Sequence, residues 1–158
     1  MADRVVTFGE IMLRLTPPGY QRLIQARSLD MVYGGAEANV AVALARFGVD
    51  AAYVTKLPKN SLGDAVIEEL RRYGVDTSHI ARGGERLGTY YLERGAGVRG
   101  SEVLYDRANS AIACAGASDF DWSEIFAGAN WFHFTGITPA LSEGVLDATV
   151  NACKKARE

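Results

Sequence analysis

The sequence predicts an α/β fold, a doubly wound and mostly parallel sheet with an antiparallel β-hairpin inserted into it. Three observations carry this. Short apolar strands alternate with helices of about a dozen residues, the rhythm of βαβ units. The stretch "ANWFHFTGI", residues 129–137, is apolar almost throughout, as a strand buried on both faces of a parallel sheet requires. From about Leu87 to Arg107, two strand-like segments follow one another with no helix between them.

Taken in order, "RVVTFGEIMLRLTP" begins apolar and then alternates, so it reads as one strand ended by Pro17, Pro18 and Gly19. "EANVAVALARFG" reads as a helix with Val40, Ala43, Leu44 and Phe47 on one face and Gly48 where a C-terminal glycine belongs. "DAAYVTKL" is the next strand. "SLGDAVIEELRRYG" is a second helix, with Val66, Ile67, Leu70 and Tyr73 inward and Gly74 as its stop. "GTYYLER" and "EVLYDR" form the hairpin. Their connection, "GAGVRG", fits the G-x-G-x-x-G of dinucleotide-binding loops, but that fingerprint needs a helix after it. Here Val103, Tyr105 and Arg107 follow at period two, so the stretch is a hairpin tip. "SEGVLDATVNACKKARE" closes the sequence as a helix capped by Ser142. No return strand follows that helix, and the sequence reads as interrupted there.

At 158 residues, with 48% hydrophobic and 23% charged residues, the composition is that of one globular domain. A net charge of −2 without a Lys/Arg cluster predicts no nucleic-acid partner. No apolar run approaches the roughly 20 residues that span a bilayer, and "MADRVVTFGE" lacks a signal-peptide core, so a cytoplasmic protein without a membrane partner is expected. Cys114 and Cys153 fit no metal spacing and read as buried or partly buried free thiols. His79 and His133 read as satisfied structural histidines, since no nucleophile or orienting carboxylate can be placed beside either. No metal site is assigned.

At "GGAEANVAVALARFG", Gly34 to Gly48, the sequence resembles the N-terminal half of a ribokinase-type (PfkB family) carbohydrate kinase. "FGEIMLRL", "GGAEANVA", "NSLGDAV", "YDRANSA" and "FHFTGITPALS" match in order, over essentially the whole chain. Glu37, where many members carry proline, and "YDR" followed by "SA" are most similar to the 2-keto-3-deoxygluconate kinases. Pro58 departs from the glycine common in that segment. The resemblance implies a ribokinase-like fold of which residues 1–158 are the N-terminal part, with a lid hairpin at about 87–107 and the C-terminal ATP-binding part absent. It also implies ATP and Mg²⁺ as cofactors of the intact enzyme, bound by residues outside this sequence, and a homodimer or higher oligomer formed through the lid.

A sugar acid offers hydroxyls and one carboxylate, so its site needs close backbone approach, polar side chains and a cation. Gly34 and Gly35 permit that approach or, alternatively, serve a tight turn. Asn39 can donate and accept. The resemblance places Gly34, Tyr90, Tyr105 and Arg107 against the substrate, with Arg107 on the carboxylate. Ile137, in "GITP" at a strand's carboxyl end, is placed to touch the sugar through its backbone. No catalytic residue is assigned. The family's "GAGD" segment is absent from the sequence, no Walker-type loop replaces it, and Gly63–Asp64 precedes the second helix, the wrong place for the family's base. The chain alone is expected to bind sugar acid weakly and not to transfer phosphate. Two other readings stand beside this one: a fragment of a neutral-sugar kinase of the fructokinase or ribokinase type, and a non-catalytic sugar-binding or self-assembly module.

Overall fold

Strand β1 (Arg4–Phe8) is the centre of a three-stranded parallel sheet, with β4 (Asp50–Val54) on one side and β9 (Trp131–His133) on the other. The computed structural model describes residues 3–158, so the first two residues of the opening stretch lie outside it. Successive residues of these strands point to opposite faces, and each face meets a helical layer. Val6, Phe8, Ala52 and Val54 pack with Phe120, α3 (Trp122–Ile125) and α4 (Glu143–Lys155). Ala51 and Tyr53 pack with α1 (Ala36–Arg46) and α2 (Ser61–Arg72). Helices on both faces of a parallel sheet make the fold doubly wound, as the strand–helix rhythm predicts.

The first predicted strand is two. The chain leaves the parallel sheet after Phe8 and re-forms as β2 (Met12–Thr16) in a second sheet. The change from continuous apolar to alternating residues inside "RVVTFGEIMLRLTP" marks this crossing, from a strand buried on both faces to one buried on a single face. The second sheet has four strands in the order β3 (Asp30–Gly34), β2, β7 (Thr89–Glu93), β8 (Glu102–Asp106). The hairpin β7–β8 is therefore half of a lid whose other half comes from the N-terminal segment. β2 joins them by pairing antiparallel with β3 and parallel with β7. A two-stranded parallel piece, β5 (Lys56–Leu57) with β6 (Ala81–Arg82), completes the sheets.

The "GAGVRG" tip is a tight turn. Ala96 and Arg99 exchange backbone hydrogen bonds of 3.0 and 3.1 Å, and Gly97 has φ +57°. The Arg99 guanidinium donates to the Tyr20 carbonyl at 2.8 Å, and the Leu23 amide donates to Glu93 at 2.6 Å, fastening the lid's far end. Asn60 caps α2 through Leu62 and Gly63, while Asp64 pairs with Arg82 at 2.7 Å, so the Gly-Asp pair serves this helix start.

Three packing expectations need correction. α1 approaches the sheet through Ala38 and Ala41, whose small side chains allow close contact, which leaves Ala43 exposed and Phe47 84% exposed at the helix end. Tyr73 is partly exposed beyond α2. β9 pairs only with β1, and Trp131 is 67% exposed, so this strand is not covered on both faces. Two further expectations fail: Cys114 is exposed, not buried, while Cys153 is half-buried and both are free, and His133 is not satisfied, since its buried Nε2 has no hydrogen-bond partner among the described residues.

Arg4 bridges Asp50 at 2.9 Å and Asp76 at 2.7 Å, tying β1 to β4 and to the segment after α2. Burial pushes the Asp76 carboxyl up, but hydrogen bonds from Ser78 and the Arg4 guanidinium outweigh it and hold it below its ordinary 3.8. A lowered folded value stabilises the fold above pH 3.8, and this stabilisation is lost as pH falls through the lowered value. Asp76→Asn is therefore expected to cost up to about 1 kcal/mol near pH 7, and the gap to wild type should narrow progressively as the pH is taken below 3.8, read from melting curves across that range.

Candidate functional site

The lid's inner face carries a row of four directly paired residues, Val32, Arg14, Tyr90 and Tyr105, contributed by β3, β2, β7 and β8. Direct pairing puts them on one face of the sheet. The rings of Tyr90 and Tyr105 lie 5.8 Å apart and are tilted by 34°. Arg107, just past the end of β8, sets its guanidinium 5.7 Å from the Tyr105 ring centre. Facing this wall are the first turn of α1 and the turn at 135–138. Between them is a cleft of about 460 Å³, within the usual size of small-molecule sites. Gly34, Gly35, Asn39, Tyr90, Tyr105, Arg107 and Ile137 all line it. Neither histidine does.

Two buried carboxylates hold the walls together. Glu37, in the first turn of α1, is 3% exposed; its Oε1 accepts from the Thr135 amide (3.0 Å), the Thr135 hydroxyl (2.6 Å) and the Thr138 hydroxyl (2.7 Å). This clasp presents Ile137 to the cleft. Glu10 is 4% exposed: its Oε1 accepts from the Ser110 hydroxyl at 2.6 Å, and its Oε2 is in close ion-pair contact with Arg107, aligned too poorly for a hydrogen bond. Arg107 thus enters the cleft with its charge already countered, while its Nε has no acceptor.

The sequence reading missed Glu10, Met12, Arg14 and Thr138 as lining residues. Met12 and Arg14 were discoverable, because period-two spacing from Glu10 places all three on one side of an extended chain. The partnership of Glu37 with Thr135 and Thr138 spans about a hundred positions and has no local signal. A wider groove of about 630 Å³ runs along α4, but its wall of Leu146, Val150 and Cys153 includes none of these residues. Among the described residues, no group of three His, Cys, Asp or Glu is placed to hold a metal ion. The helix N-terminus that opens on the cleft, that of α1, has the Glu37 carboxylate in its first turn.

A doubly wound core with a second sheet folded over a polar, aromatic-walled cleft defines the α/β class of this protein. The chain belongs to the pfkB family carbohydrate kinases, whose pattern it matches over residues 2–158. It is 42% identical over 158 residues to the 2-dehydro-3-deoxygalactonokinase of Haloferax volcanii, covering all of this chain and 49% of that protein. The crystal structure of the 2-dehydro-3-deoxygluconokinase of Thermotoga maritima superposes with a TM-score of 0.96 at 57% identity, over 98% of this chain and 48% of that one. An uncharacterized sugar kinase from Pyrococcus horikoshii, solved in complex with ATP, matches at TM-score 0.82 and 26% identity, over 96% of this chain and 49% of its own. The chain spans about half the length of these relatives.

The two glycines have different reasons to be glycine. A Cβ on Gly35 would collide with the Glu10 carbonyl, whereas one on Gly34 would rest 3.6 Å from the Tyr90 hydroxyl. Gly35→Ala is expected to destabilise the fold by about 1–3 kcal/mol, and Gly34→Ala by less than about 0.5, in denaturant melts. Arg107→Ala strips the cation from a buried carboxylate and should cost about 3 kcal/mol. Adding Glu10→Gln should recover most of that loss; additive losses would mean the two residues do not depend on each other.

Proposed function

We propose that this chain is the sugar-binding, N-terminal part of an ATP-dependent kinase that phosphorylates 2-keto-3-deoxygluconate, and that the ATP-binding part lies outside residues 1–158. The observation that carries the reading is the convergence of Gly34, Asn39, Tyr90, Tyr105 and Arg107 on one cleft of sugar size. Its chemistry suits a sugar acid: tyrosine hydroxyls and the Asn39 amide meet hydroxyl groups, the tyrosine rings exclude water, and the guanidiniums of Arg14 and Arg107 offer charge-assisted donors to a carboxylate. Gly35 contributes to the shape of the cleft, and Ile137 offers backbone polar groups from the clasped turn.

ATP with Mg²⁺ would supply the phosphoryl group and offset its charge. The described residues hold and orient the acceptor, and none of them is assigned a part in the transfer. Self-association through the lid fits the same reading. On its other face, the row Met31–Leu15–Tyr91–Leu104 is apolar, and its ends are 54% and 58% exposed. A homodimer would cover that row.

The full-length gene product, assayed with ATP and Mg²⁺, should turn over 2-keto-3-deoxygluconate with a kcat/KM at least about 100-fold above fructose and ribose, since a site built for a charged group discriminates strongly against its absence. Equal or better turnover of either neutral sugar would replace this reading with the neutral-sugar kinase. Sugar binding without turnover of any of them would favour a non-catalytic module.

A further inference from the structure

Arg107 leaves the lid at the point where the sheet stops holding the chain. The last pair of the β7–β8 ladder is Thr89 with Asp106, and Arg107 follows it outside the ladder. Backbone carbonyls beyond a ladder's end need other donors. Here one side chain takes two of them. The Arg86 guanidinium donates through Nη2 to the Asp106 carbonyl at 2.9 Å, and through Nη1 to the Ala108 carbonyl at 3.3 Å. The residues on either side of Arg107 are held by the same group, and Arg86 does not line the cleft.

Arg86 is itself fixed in place. Its fork grips the Asp106 carboxylate, Nη1 to Oδ1 and Nη2 to Oδ2, each at 2.9 Å. That two-pronged grip needs a planar guanidinium, and a lysine cannot reproduce it. The Arg86 carbonyl accepts from the Ala111 amide at 2.8 Å. Gly84 has φ +76°, and a Cβ there would lie 2.8 Å from Ala111, so the two segments run too close for a side chain between them. On the cleft side of the clamp, the Arg107 carbonyl accepts from the Ser110 amide at 3.3 Å, and the Ser110 hydroxyl donates to Glu10, the partner of Arg107. Glu10 fixes the end of the Arg107 side chain, and Arg86 fixes its root.

We infer that Arg86 is the positioning residue for Arg107, setting the backbone of residues 106–108 so that the Arg107 guanidinium meets the ligand carboxylate. This rests on the sugar-acid reading above, in which Arg107 receives that carboxylate. Arg86 is half-buried at the edge of the lid and outside both core clusters, so the fold persists without the clamp while the root of Arg107 is released. Hydrogen bonds weaken steeply with misalignment, so the contact to the carboxylate suffers first. The contacts that Gly34, Asn39 and Tyr90 offer to hydroxyl groups come from other elements and stay in place. The charge of Arg86 is already countered by Asp106, so its influence passes through geometry.

The test is calorimetric titration of the full-length protein with 2-keto-3-deoxygluconate and with 3-deoxyfructose, in which a hydroxymethyl group replaces the carboxylate. Arg86→Lys and Arg86→Met should each weaken the acid roughly tenfold, as misplacing one charge-assisted contact does, and the neutral sugar by less than about twofold. Lysine keeps the charge, so full acid affinity in Arg86→Lys would show that charge and not the clamp matters, and overturns the inference. In a background of Glu10→Gln with Arg107→Ala, Arg86→Met should change acid affinity by less than about twofold, because the residue it acts through is gone. A further loss of roughly tenfold in that background also overturns the inference. A folding defect in Arg86→Met leaves Arg86→Lys to decide, and equal weakening of both sugars in the variant that folds means a purely structural role and overturns it too. Wild-type protein that binds neither sugar, or both equally, overturns the sugar-acid reading itself; a wild-type preference for the acid that both Arg86 variants keep overturns only the role of Arg86.

Discussion

The Glu10 carboxylate is the contact on which the geometry of the cleft depends. It sits in the short crossing from the parallel sheet to the lid, where the backbone has few partners of its own. Gly9 donates to the Val54 carbonyl at 3.2 Å and accepts from the Tyr53 hydroxyl at 2.8 Å, which anchors the crossing to the core. Glu10 then reaches in the other direction, to Ser110 and Arg107, a hundred residues away in sequence and just beyond the hairpin. A carboxylate this buried is costly unless its oxygens are satisfied, so Ser110 and Arg107 have to be where they are. The core, the lid and the segment leaving the lid are fixed against one another by one side chain.

Glu37 repeats the device across the cleft. Its oxygens lie over Gly9, where no Cβ could be accommodated, and three donors from Thr135 and Thr138 close on Oε1. Burial, with the nearby Glu37 and Glu10 charges, pushes the Tyr53 hydroxyl well above its ordinary 10, so it remains a donor to Gly9 at any physiological pH. Both walls of the cleft therefore hang from the same few residues, Gly9 to Ile11. Closing or widening the cleft by tilting the lid would have to break a buried polar contact, so these contacts hold the cleft in one shape.

Much of this was legible because local patterns decide it. The helix stop at Gly48, the cap at Ser142 and the hairpin at 87–107 each follow from a few neighbouring residues; the resemblance singled out Gly34, Tyr90, Tyr105 and Arg107, and residue chemistry added Gly35, Asn39 and Ile137, all of which line the cleft. What escaped was non-local. The division of the first strand depends on which sheet each half can pair with, and β3 is a short, largely exposed strand whose nonpolar residues, Met31, Val32 and Tyr33, are consecutive, with no alternation to announce it. Phe47 looked like a core residue by spacing, but α1 packs through alanines, and close helix–sheet contact leaves no room for a ring on that side. Arg107 was legible as a cation near the ligand; its neutralisation by Glu10 was not, because an ion pair between positions 10 and 107 has no signature in either segment.

The placement of Glu37 also sets the electrostatics of the cleft. A helix N-terminus concentrates positive potential and unpaired N–H groups, so α1, opening directly on the cleft, would ordinarily be the natural seat for a ligand's carboxylate. Here a protein carboxylate already occupies that turn, locked by two threonines. The helix end is electrostatically satisfied, and an incoming anion is repelled from it. The remaining attraction is across the cleft, where Arg14 has no partner. Glu37 and Arg14 thus stand as opposite charges on facing walls of the cleft, one held by two threonines and the other without an ion-pair partner among the described residues.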